Sequence, residues 1–449
     1  MTALFYTLWV VAFAFAILVS IGLHELGHMI PAKRFGGKVT QYFIGFGPTV
    51  WSKQVGETEC GIKAIPLGGY VKIVGMLPPA ALDAADEVEV DADGNSVVRV
   101  RKSNTGLFTQ LISDARAAEW ETIRPEDSDR LFYKLPWWKK VVVMAGGPTV
   151  NLLIAFGIFA GVFATYGNTD DVRLGTTVAQ VEPCIVPAQQ DGRVCTPADP
   201  ESPAAKAGLR TGDRIVAFNG TRIDSWSQVQ QLIRANGDRM ARITVVRDGV
   251  RTDLRPTQTT VTPRFLTDDA TTTTKVGFLG VSPTQSPATG GPLYTLRQMG
   301  VMTQHVVSSL ATLPVRVWGV ARAIVGLEKR DPNGPVSIVG GGRFAGEIGA
   351  SKNIDVQEKV VFLLMLIAGF NLFVGMFNFV PLLPLDGGHI ASALWEAVRR
   401  GVARLRSRPD PGYVDAAKLL PIAYVVASAL LVMGVVLIVA DFVVPVHIA

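Results

Sequence analysis

His24-Glu25-Leu26-Gly27-His28 closes an apolar run that begins near residue 3. On a helix, His24 and His28 lie one turn apart on the same face, so their imidazoles can bind one metal ion. Glu25 lies about 100° further round, where it can exchange protons with a water molecule at the metal without being a ligand. The alternative is a pair of histidines hydrogen-bonded inside a helix bundle, but a glutamate in an apolar segment is costly unless it has a function. The stretch therefore predicts a metal site on the first helix.

The composition is too apolar for an ordinary soluble protein. Of the 449 residues, 48% are hydrophobic, and the mean hydropathy is +0.30, which indicates a membrane protein with two or three modules. The 43 basic and 38 acidic residues give a net charge of +5, but no Lys/Arg tract is dense enough to follow a phosphate backbone. We therefore expect the lipid bilayer, and no nucleic acid, as a partner.

Four segments have the length of about 20 apolar residues that a bilayer requires, and they cover roughly 3–29, 138–165, 359–384 and 418–444. The loops after the first and third segments are rich in Lys and Arg, so the positive-inside rule places both loops in the cytoplasm. The two termini and the long segment between the second and third spans are then extracytoplasmic. The first run lacks a cationic leader and carries the metal motif, so we expect a retained span rather than a cleaved signal peptide.

Periodicity and turn residues predict the structure between the spans. Residues 38–75 mix short apolar pieces with glycines and are expected to form β-hairpins that dip into the membrane face. Residues 78–130 are polar and acid-rich, and are expected to be flexible. Residues 285–357 mix helical pieces such as Thr303–Val325 with Gly-rich breaks such as 334–340, and are expected to lie on the outer membrane surface.

The segment between the second and third spans also contains a pattern of short strands. Its predicted elements are strands at Thr176–Val181, Arg214–Phe218, Ala241–Val246 and Lys275–Val281, turns at Asn219-Gly220 and Asp248-Gly249, and a helix at Ser225–Ala235. This pattern predicts an α+β domain outside the membrane.

The fold class that follows is a polytopic α-helical membrane protein with four transmembrane helices, membrane-associated β-hairpins and an extracytoplasmic α+β domain. The predicted division is 1–77 for the first transmembrane helix with its metal motif and re-entrant β-loop, 78–136 for a flexible cytoplasmic insertion, 137–166 for the second transmembrane helix, 167–284 for the extracytoplasmic domain, 285–357 for an amphipathic membrane-surface segment, 358–390 for the third transmembrane helix, and 391–449 for a cytoplasmic loop and the fourth transmembrane helix.

Two imidazoles leave a zinc ion short of ligands, because a hydrolytic zinc site takes three protein groups and keeps the fourth position for water. Asp386 is the predicted third ligand. It ends the third apolar run, and because the first and third spans run in the same direction, Asp386 and His28 reach the cytoplasmic boundary together. His389 is the competing candidate, but it follows two glycines and is expected past the membrane edge. His305 and His447 are expected at the surface.

The three cysteines differ in position. Cys60 lies in the first loop, whereas Cys184 and Cys195 lie close together in the extracytoplasmic segment. An oxidising compartment allows a disulfide between Cys184 and Cys195, and two independent free thiols are the alternative.

Two motifs and the order of the spans resemble the site-2 protease family of intramembrane zinc metalloproteases, most of all its bacterial members that cleave anti-sigma factors. The motifs are the His24–His28 stretch in the first span and the string Asn378-Phe379-Val380-Pro381-Leu382-Leu383-Pro384-Leu385-Asp386-Gly387 at the end of the third. The resemblance covers nearly the whole chain apart from the acidic insertion. It implies one Zn²⁺ per chain, bound by His24, His28 and Asp386, with Glu25 as general acid and base.

The resemblance also implies a substrate-binding role for two asparagines. The second span contains Gly146-Gly147-Pro148-Thr149-Val150-Asn151, which is similar to the family's Gly-Pro-x-x-Asn element. Asn151 is therefore expected either to bind the substrate backbone or its oxyanion, or to form a hydrogen bond between helices. Asn378 has the same two interpretations.

Pro66-Leu67-Gly68-Gly69-Tyr70-Val71-Lys72 is similar to the membrane-embedded β-loop of the family. A helical substrate hides its peptide bonds in its own hydrogen bonds and must unwind first. Gly68, Gly69 and Tyr70 are therefore expected to hold the unwound substrate by strand addition. The alternative is a hairpin that only plugs the bundle.

Residues 174–284 resemble a PDZ domain, chiefly through the segment Ser202–Ile215, which in bacterial examples forms a short helix, a turn and a strand. The sigma-E type of protease carries two such domains, whereas this chain shows one PDZ-like domain with a cysteine-bearing insertion. This difference argues against substrate gating by a tandem pair.

Together these features predict a multi-pass protease of the bacterial plasma membrane, with its active site near the cytoplasmic side, that cleaves single-span membrane proteins in regulated intramembrane proteolysis. The resemblance implies anti-sigma factors or signal-peptide remnants as substrates, first trimmed by an upstream site-1-type protease, with the PDZ-like domain excluding untrimmed proteins. One alternative is a non-catalytic PDZ-containing membrane scaffold with a structural metal. Another, a zinc transporter, needs ligands along a path through the membrane, and a single cluster is visible.

Overall fold

The computed structural model describes residues 2–78, 88–90, 96–98, 112, 114–115, 123, 125–186, 194–265 and 273–447. The chain divides into two compact units, Met1–Val162 together with Gly291–Ala449, and Phe163–Gly290. The helices in chain order are α1 (Thr2–Arg34), α2 (Trp137–Thr165), α3 (Pro203–Ala207), α4 (Trp226–Asn236), α5 (Pro292–Ile324), α6 (Ile338–Ala350), α7 (Val356–Asn378), α8 (Asp386–Leu405) and α9 (Leu420–Val443).

The strands in chain order are β1 (Val39–Val55), β2 (Thr58–Ile73), β3 (Val88–Val90), β4 (Ser96–Val98), β5 (Asn168–Val181), β6 (Arg214–Phe218), β7 (Thr221–Arg222), β8 (Met240–Ala241), β9 (Ile243–Arg247), β10 (Val250–Asp253), β11 (Thr257–Gln258), β12 (Thr260–Phe265), β13 (Thr273–Phe278) and β14 (Val281–Ala288). Short 3-10 turns lie at Pro125–Asp127, Phe132–Lys134 and Ala416–Leu419.

Four helical segments of the described chain are long and apolar enough to cross a membrane: Thr2–Arg34, Trp137–Thr165, Val356–Asn378 and Ala416–Val443. They coincide with the four predicted spans. Each needs only its own backbone to satisfy its hydrogen bonds, which is the condition for crossing hydrocarbon.

The predicted boundary of the third transmembrane helix, 358–390, was wrong. Helix α7 ends at Asn378, and Asp386 is the first residue of a separate helix, α8. Pro381 and Pro384 lack the backbone N–H that a continuing helix requires. Asp386 therefore lies at a helix start, not at the end of a span.

The first loop forms one folded-back hairpin of β1 and β2. Residues 41–44 pair with residues 69–72 on one side and with residues 59–62 on the other, and 51–55 pair with 58–62. Repeated shifts of register allow these two long strands to fold into a compact sheet. The last stretch of β2 includes the Gly68-Gly69-Tyr70 segment.

The predicted C-terminal boundary of the flexible insertion, 78–136, lies too far along the chain. Most of residues 79–124, including the bulk of the predicted flexible stretch, lie outside the described residues. Beyond them, Asp127 is 3% exposed and binds Lys38 at 2.7 Å, and Phe132 N–H donates to Val74 O at 2.9 Å. Aromatic and aliphatic side chains in 131–135 are buried against the sheet, so this part belongs to the first of the two compact units.

The segment predicted as an amphipathic surface region, 285–357, contains two helices, α5 and α6. The break predicted at 334–340 is shorter, because α6 begins at Ile338 behind a Ser337 cap. Helix α6 packs on α1 through glycines: a Cβ at Gly346 would lie 2.5 Å from the Tyr6 ring, and one at Gly349 would lie 2.2 Å from Trp9. The helix face rich in glycine is thus buried against α1, which periodicity alone did not indicate.

The second unit is built on a sheet of order β10-β9-β6-β5-β14, with β7 paired to β6. Its core lies between this sheet and α4, where Trp226, Val229 and Ile233 meet Ile215 and Ile243. Helix α4 begins behind Ser225, whose side chain accepts from the Gln228 N–H.

The predicted turns of this unit have positive φ values at Asn219 (48°) and Asp248 (51°), each followed by a glycine that also has positive φ. The sheet of this unit continues beyond residue 284, the predicted end of the domain. Strand β14 pairs with β5 as far as Ala288, and the predicted strand Lys275–Val281 is interrupted at Gly280, which has a φ of 84°. Cys184 and Cys195 form a disulfide in this unit. The PDZ assignment remains a prediction.

Candidate metal centre

Three potential ligand atoms meet near the C-terminal end of α1. His24 Nε2 and His28 Nε2 lie 3.3 Å apart, and Asp386 Oδ2 lies 3.5 Å from the first and 3.4 Å from the second. They are the one group of histidine, cysteine and acidic side chains that could hold a metal ion among the described residues. Asp386 and the two imidazoles, distant in sequence, thus form a nearly equilateral triangle.

The triangle fits zinc. Ligand atoms about 2.0–2.1 Å from a tetrahedral zinc ion lie about 3.3–3.4 Å from one another, and the observed edges are 3.3, 3.4 and 3.5 Å. Two imidazole nitrogens and one carboxylate oxygen are a donor set that zinc accepts, and three protein ligands leave the fourth position open. Burial alone would raise the pKa of Asp386, but the neighbouring imidazoles hold that pKa below its usual value.

The imidazoles are oriented by hydrogen bonds on their other nitrogen. His28 Nδ1 donates to Val143 O at 2.9 Å, and His24 Nδ1 donates to Asn151 Oδ1 at 3.3 Å. Both acceptors belong to α2. A proton on Nδ1 leaves the lone pair of Nε2 free for a metal. Asn151, 2% exposed, therefore forms a hydrogen bond between helices, one of its two predicted roles, and its partner is a predicted metal ligand.

Glycines allow α1 and α2 to touch by their backbones at this level. A Cβ at Gly27 would lie 2.6 Å from Gly146 O, and one at Gly146 would lie 2.0 Å from Gly27 O. One residue further, a Cβ at Gly147 would lie 2.3 Å from His28 Nε2 and 2.8 Å from His24 Nε2. Any side chain at position 147 would thus occupy the space beside the ligand nitrogens. The paired glycines at 146–147 were the available sequence signal for this contact.

The carboxylate of Asp386 arrives from the other side on the first turn of α8. The following glycines pack on the preceding loop: a Cβ at Gly387 would lie 2.2 Å from Val380 O, and one at Gly388 would lie 2.5 Å from Leu383 N. This tight turn explains why Asp386 is followed by two glycines.

The triangle opens on a cavity of about 440 Å³. The wall contains Glu25 and every residue predicted to bind substrate, namely Asn151, Asn378, Gly68, Gly69 and Tyr70. Glu25 lies against the β-loop, because a Cβ at Gly69 would be 2.9 Å from Glu25 Cγ. The structure therefore brings together all the predicted site residues except the two cysteines, which belong to the second unit.

His389, the competing candidate for the third ligand, lines this same cavity. It is not part of the ligand triangle. His447 is exposed and lies 2.6 Å from Glu347.

Comparison with known proteins agrees with this geometry. The model of peptidase family M50 matches residues 12–409. The chain is 34% identical to the zinc metalloprotease Rip1 of Mycolicibacterium smegmatis, over 98% of each chain. It is 33% identical to the zinc metalloprotease Rip1 of Mycobacterium tuberculosis, again over 98% of each. The chain therefore belongs to peptidase family M50, the site-2 protease family of zinc metalloproteases.

Proposed function

We propose that this zinc metalloprotease cleaves single-span membrane proteins within or at the edge of the bilayer, with His24, His28 and Asp386 as its zinc ligands. The observation that carries the proposal is the ligand triangle on α1 and α8, which opens on a cavity beside apolar, membrane-length helices. An open fourth position favours catalysis over the scaffold alternative, because a structural zinc fills its coordination shell from the protein.

Glu25 and the two asparagines have different roles in the proposed reaction. Bound zinc supplies a Lewis acid that polarises a carbonyl and makes water more acidic. Glu25 accepts a proton from the attacking water and returns it to the leaving amine. Asn151 holds His24 through Oδ1, so its amide Nδ2 is the group that can donate to a developing oxyanion. Asn378, which also lines the cavity, is a second candidate donor.

The β-loop presents a strand to the substrate. Among the described strand pairings, residues 69–72 pair with 41–44 alone, while Gly68 to Val71 also line the cavity. An extended substrate can add to this strand and place a peptide bond next to Glu25, which packs against Gly69. The strand thus supports an unwound conformation that a transmembrane helix lacks.

In the proposed topology the protein lies in the bacterial plasma membrane, with both termini and the PDZ-like unit extracytoplasmic and the zinc site near the cytoplasmic side. The basic regions that follow α1 and α7 support this orientation. Anti-sigma factors and signal-peptide remnants are the proposed substrates, delivered after an upstream site-1-type protease has removed their outer domains.

The proposal is tested by reconstituting the full-length protein with a single-span client in lipid nanodiscs and locating the cut by mass spectrometry. Cleavage is expected inside the client's apolar segment or within a few residues of its cytoplasmic end. The matched Asp386→Asn variant is expected to give no product because its metal site is incomplete. Cuts confined to water-exposed tails, or product from Asp386→Asn, would contradict the proposal.

Removal of the second unit tests the proposed exclusion of untrimmed clients. A variant lacking residues 168–288 is expected to cleave a client with its bulky outer domain about as fast as the trimmed client, whereas the intact protein prefers the trimmed one. The physical reason is that the filter acts by size, before the client reaches the cavity. Rates are measured with both clients in nanodiscs. A deletion variant that keeps the same preference would refute the filter.

A further inference from the structure

Helix α8 carries more than the aspartate of the triangle. After Asp386, side chains at helical spacing share one face: His389, Ala393, Glu396 and Arg400. His389 lines the zinc-site cavity and also a smaller cavity that includes Glu396 and Lys140 of α2. This face of α8 therefore runs from the ligand triangle to a charged cluster further along the same helix.

Glu396 forms a buried ion pair with Lys140. Lys140 Nζ lies 2.7 Å from Glu396 Oε2, and the two side chains are 8% and 2% exposed. Arg400 Nη2 lies 3.3 Å from Glu396 Oε1, and the Tyr413 ring lies 5.0 Å from Lys140 Nζ. The desolvation of two charges offsets most of their attraction, so a buried ion pair is a weak source of stability. The position of the Lys140–Glu396 ion pair in the fold indicates a role other than stabilisation.

Lys140 stands on the face of α2 that meets the imidazoles, because positions 140, 147 and 151 follow the helical repeat. Gly147 abuts both ligand nitrogens and Asn151 binds His24. Lys140 is about 10 Å along α2 from Gly147, and Glu396 is about 15 Å along α8 from Asp386. Helix α8 is thus held at two separated places, by the ligand triangle shared with α1 and by the ion pair with α2.

The start of α8 is not held by a side-chain cap. It follows the non-helical segment 379–385, its cap residue Leu385 makes no side-chain cap bond, and the backbone of Gly387 and Gly388 packs on that preceding segment. We infer that the Lys140–Glu396 ion pair is a positioning device for the metal centre, which holds α8 against α2 so that Asp386 reaches both imidazoles. The inference rests on the proposed ligand set, and it assigns a role to residues that do not touch metal or substrate.

Cobalt binding to the zinc-stripped, full-length protein in nanodiscs tests the inference, because the visible spectrum of Co²⁺ reports tetrahedral coordination independently of proteolysis. Glu396→Asp shortens the ion pair by one methylene and is expected to weaken cobalt binding about 10- to 100-fold, the usual effect of losing support for a metal ligand. The compensating double variant Lys140→Arg/Glu396→Asp restores the reach and is expected to return the affinity to within about threefold of the parent.

A second double variant separates positioning from folding. Lys140→Met/Glu396→Leu removes both charges and is expected to fold, because apolar replacements of buried pairs are tolerated. It is nevertheless expected to bind cobalt about tenfold more weakly, since the directional bond is gone. The matched control is Asp441→Asn, which breaks another buried ion pair, with Arg330, whose side chains are 7% and 2% exposed. This control is expected to lower the thermal unfolding temperature and to leave the cobalt spectrum unchanged.

Parent-like cobalt affinity in both Glu396→Asp and the apolar double variant would overturn the positioning role, as would an equal loss in Asp441→Asn. The proposed ligand set has its own readout. Tetrahedral cobalt binding that persists in His24→Ala would overturn that ligand set, whatever the Glu396 variants show.

Discussion

Replacing Glu25 with glutamine is expected to lower kcat by about 10²- to 10⁴-fold, the range that a general acid–base group contributes, while zinc stays bound. Glutamine has nearly the same shape, so it fills the same space against Gly69, where Glu25 Cγ now packs. It cannot take a proton from water at pH 7. The three residues of the ligand triangle are untouched by the change.

Zinc content by elemental analysis and cleavage of a single-span client in nanodiscs are measured on the same preparation. Glu328→Gln is the control, because Glu328 is a partly exposed acid that pairs with Arg322 in the same unit, away from the cavity lining. It is expected to match the parent in both measurements. If Glu25→Gln keeps more than about a tenth of the parent activity, Glu25 is not the general base. Unchanged cellular function in this variant would favour the scaffold.

Adding one methyl group at Gly147 is expected to abolish most activity through loss of metal, with zinc affinity falling about 100-fold. The new Cβ would lie 2.3 Å from His28 Nε2 and 2.8 Å from His24 Nε2, closer than real contacts allow. Either the imidazoles turn away or α2 moves off α1, and overpacking of this kind costs about 1–3 kcal/mol in itself. Both responses would move the ligand atoms away from the spacing that fits a tetrahedral zinc ion.

The matched control is Gly157→Ala on the same helix, where a Cβ would meet no heavy atom within 4 Å. Alanine is a better helix former than glycine, so this variant is expected to be as stable as the parent, with unchanged zinc content and activity. The measurements are zinc affinity by competition with a chelator and client cleavage. Full zinc occupancy in Gly147→Ala would contradict the packing of α2 against the ligand nitrogens.

Local patterns in the chain predicted much of the fold. The spacing of His24 and His28 places two imidazoles on one helix face because the α-helix repeats every 3.6 residues. Apolar length alone identified the four membrane-length helices. Asn219-Gly220 and Asp248-Gly249 favour positive φ and form turns as expected. The site-2 protease family and zinc, both inferred from two short motifs, are confirmed by the matching family model and the zinc metalloprotease relatives.

Boundaries and positions that depend on neighbours were predicted less well. The predicted third-span segment, 358–390, extends past the end of α7 at Asn378 and includes the start of α8, because apolar length does not show where one helix ends and the next begins. The place of His389 in the cavity wall accompanies the tight packing of Gly387 and Gly388 on the preceding loop, which a linear pattern does not show. The burial of residues 131–135 likewise depends on the sheet that they meet.

By itself the sequence determined which residues can carry the chemistry, because helical period, apolar length and turn preference are properties of neighbouring residues. Only the tertiary structure decided how those residues meet. Asp386 of α8 lies 3.4 and 3.5 Å from the imidazoles of α1, and α1 crosses α2 closely at Gly27 and Gly146. The ion pair between Lys140 and Glu396 joins residues 256 positions apart. Such contacts depend on how helices cross and on where a side chain is missing, and no local pattern along the chain records either.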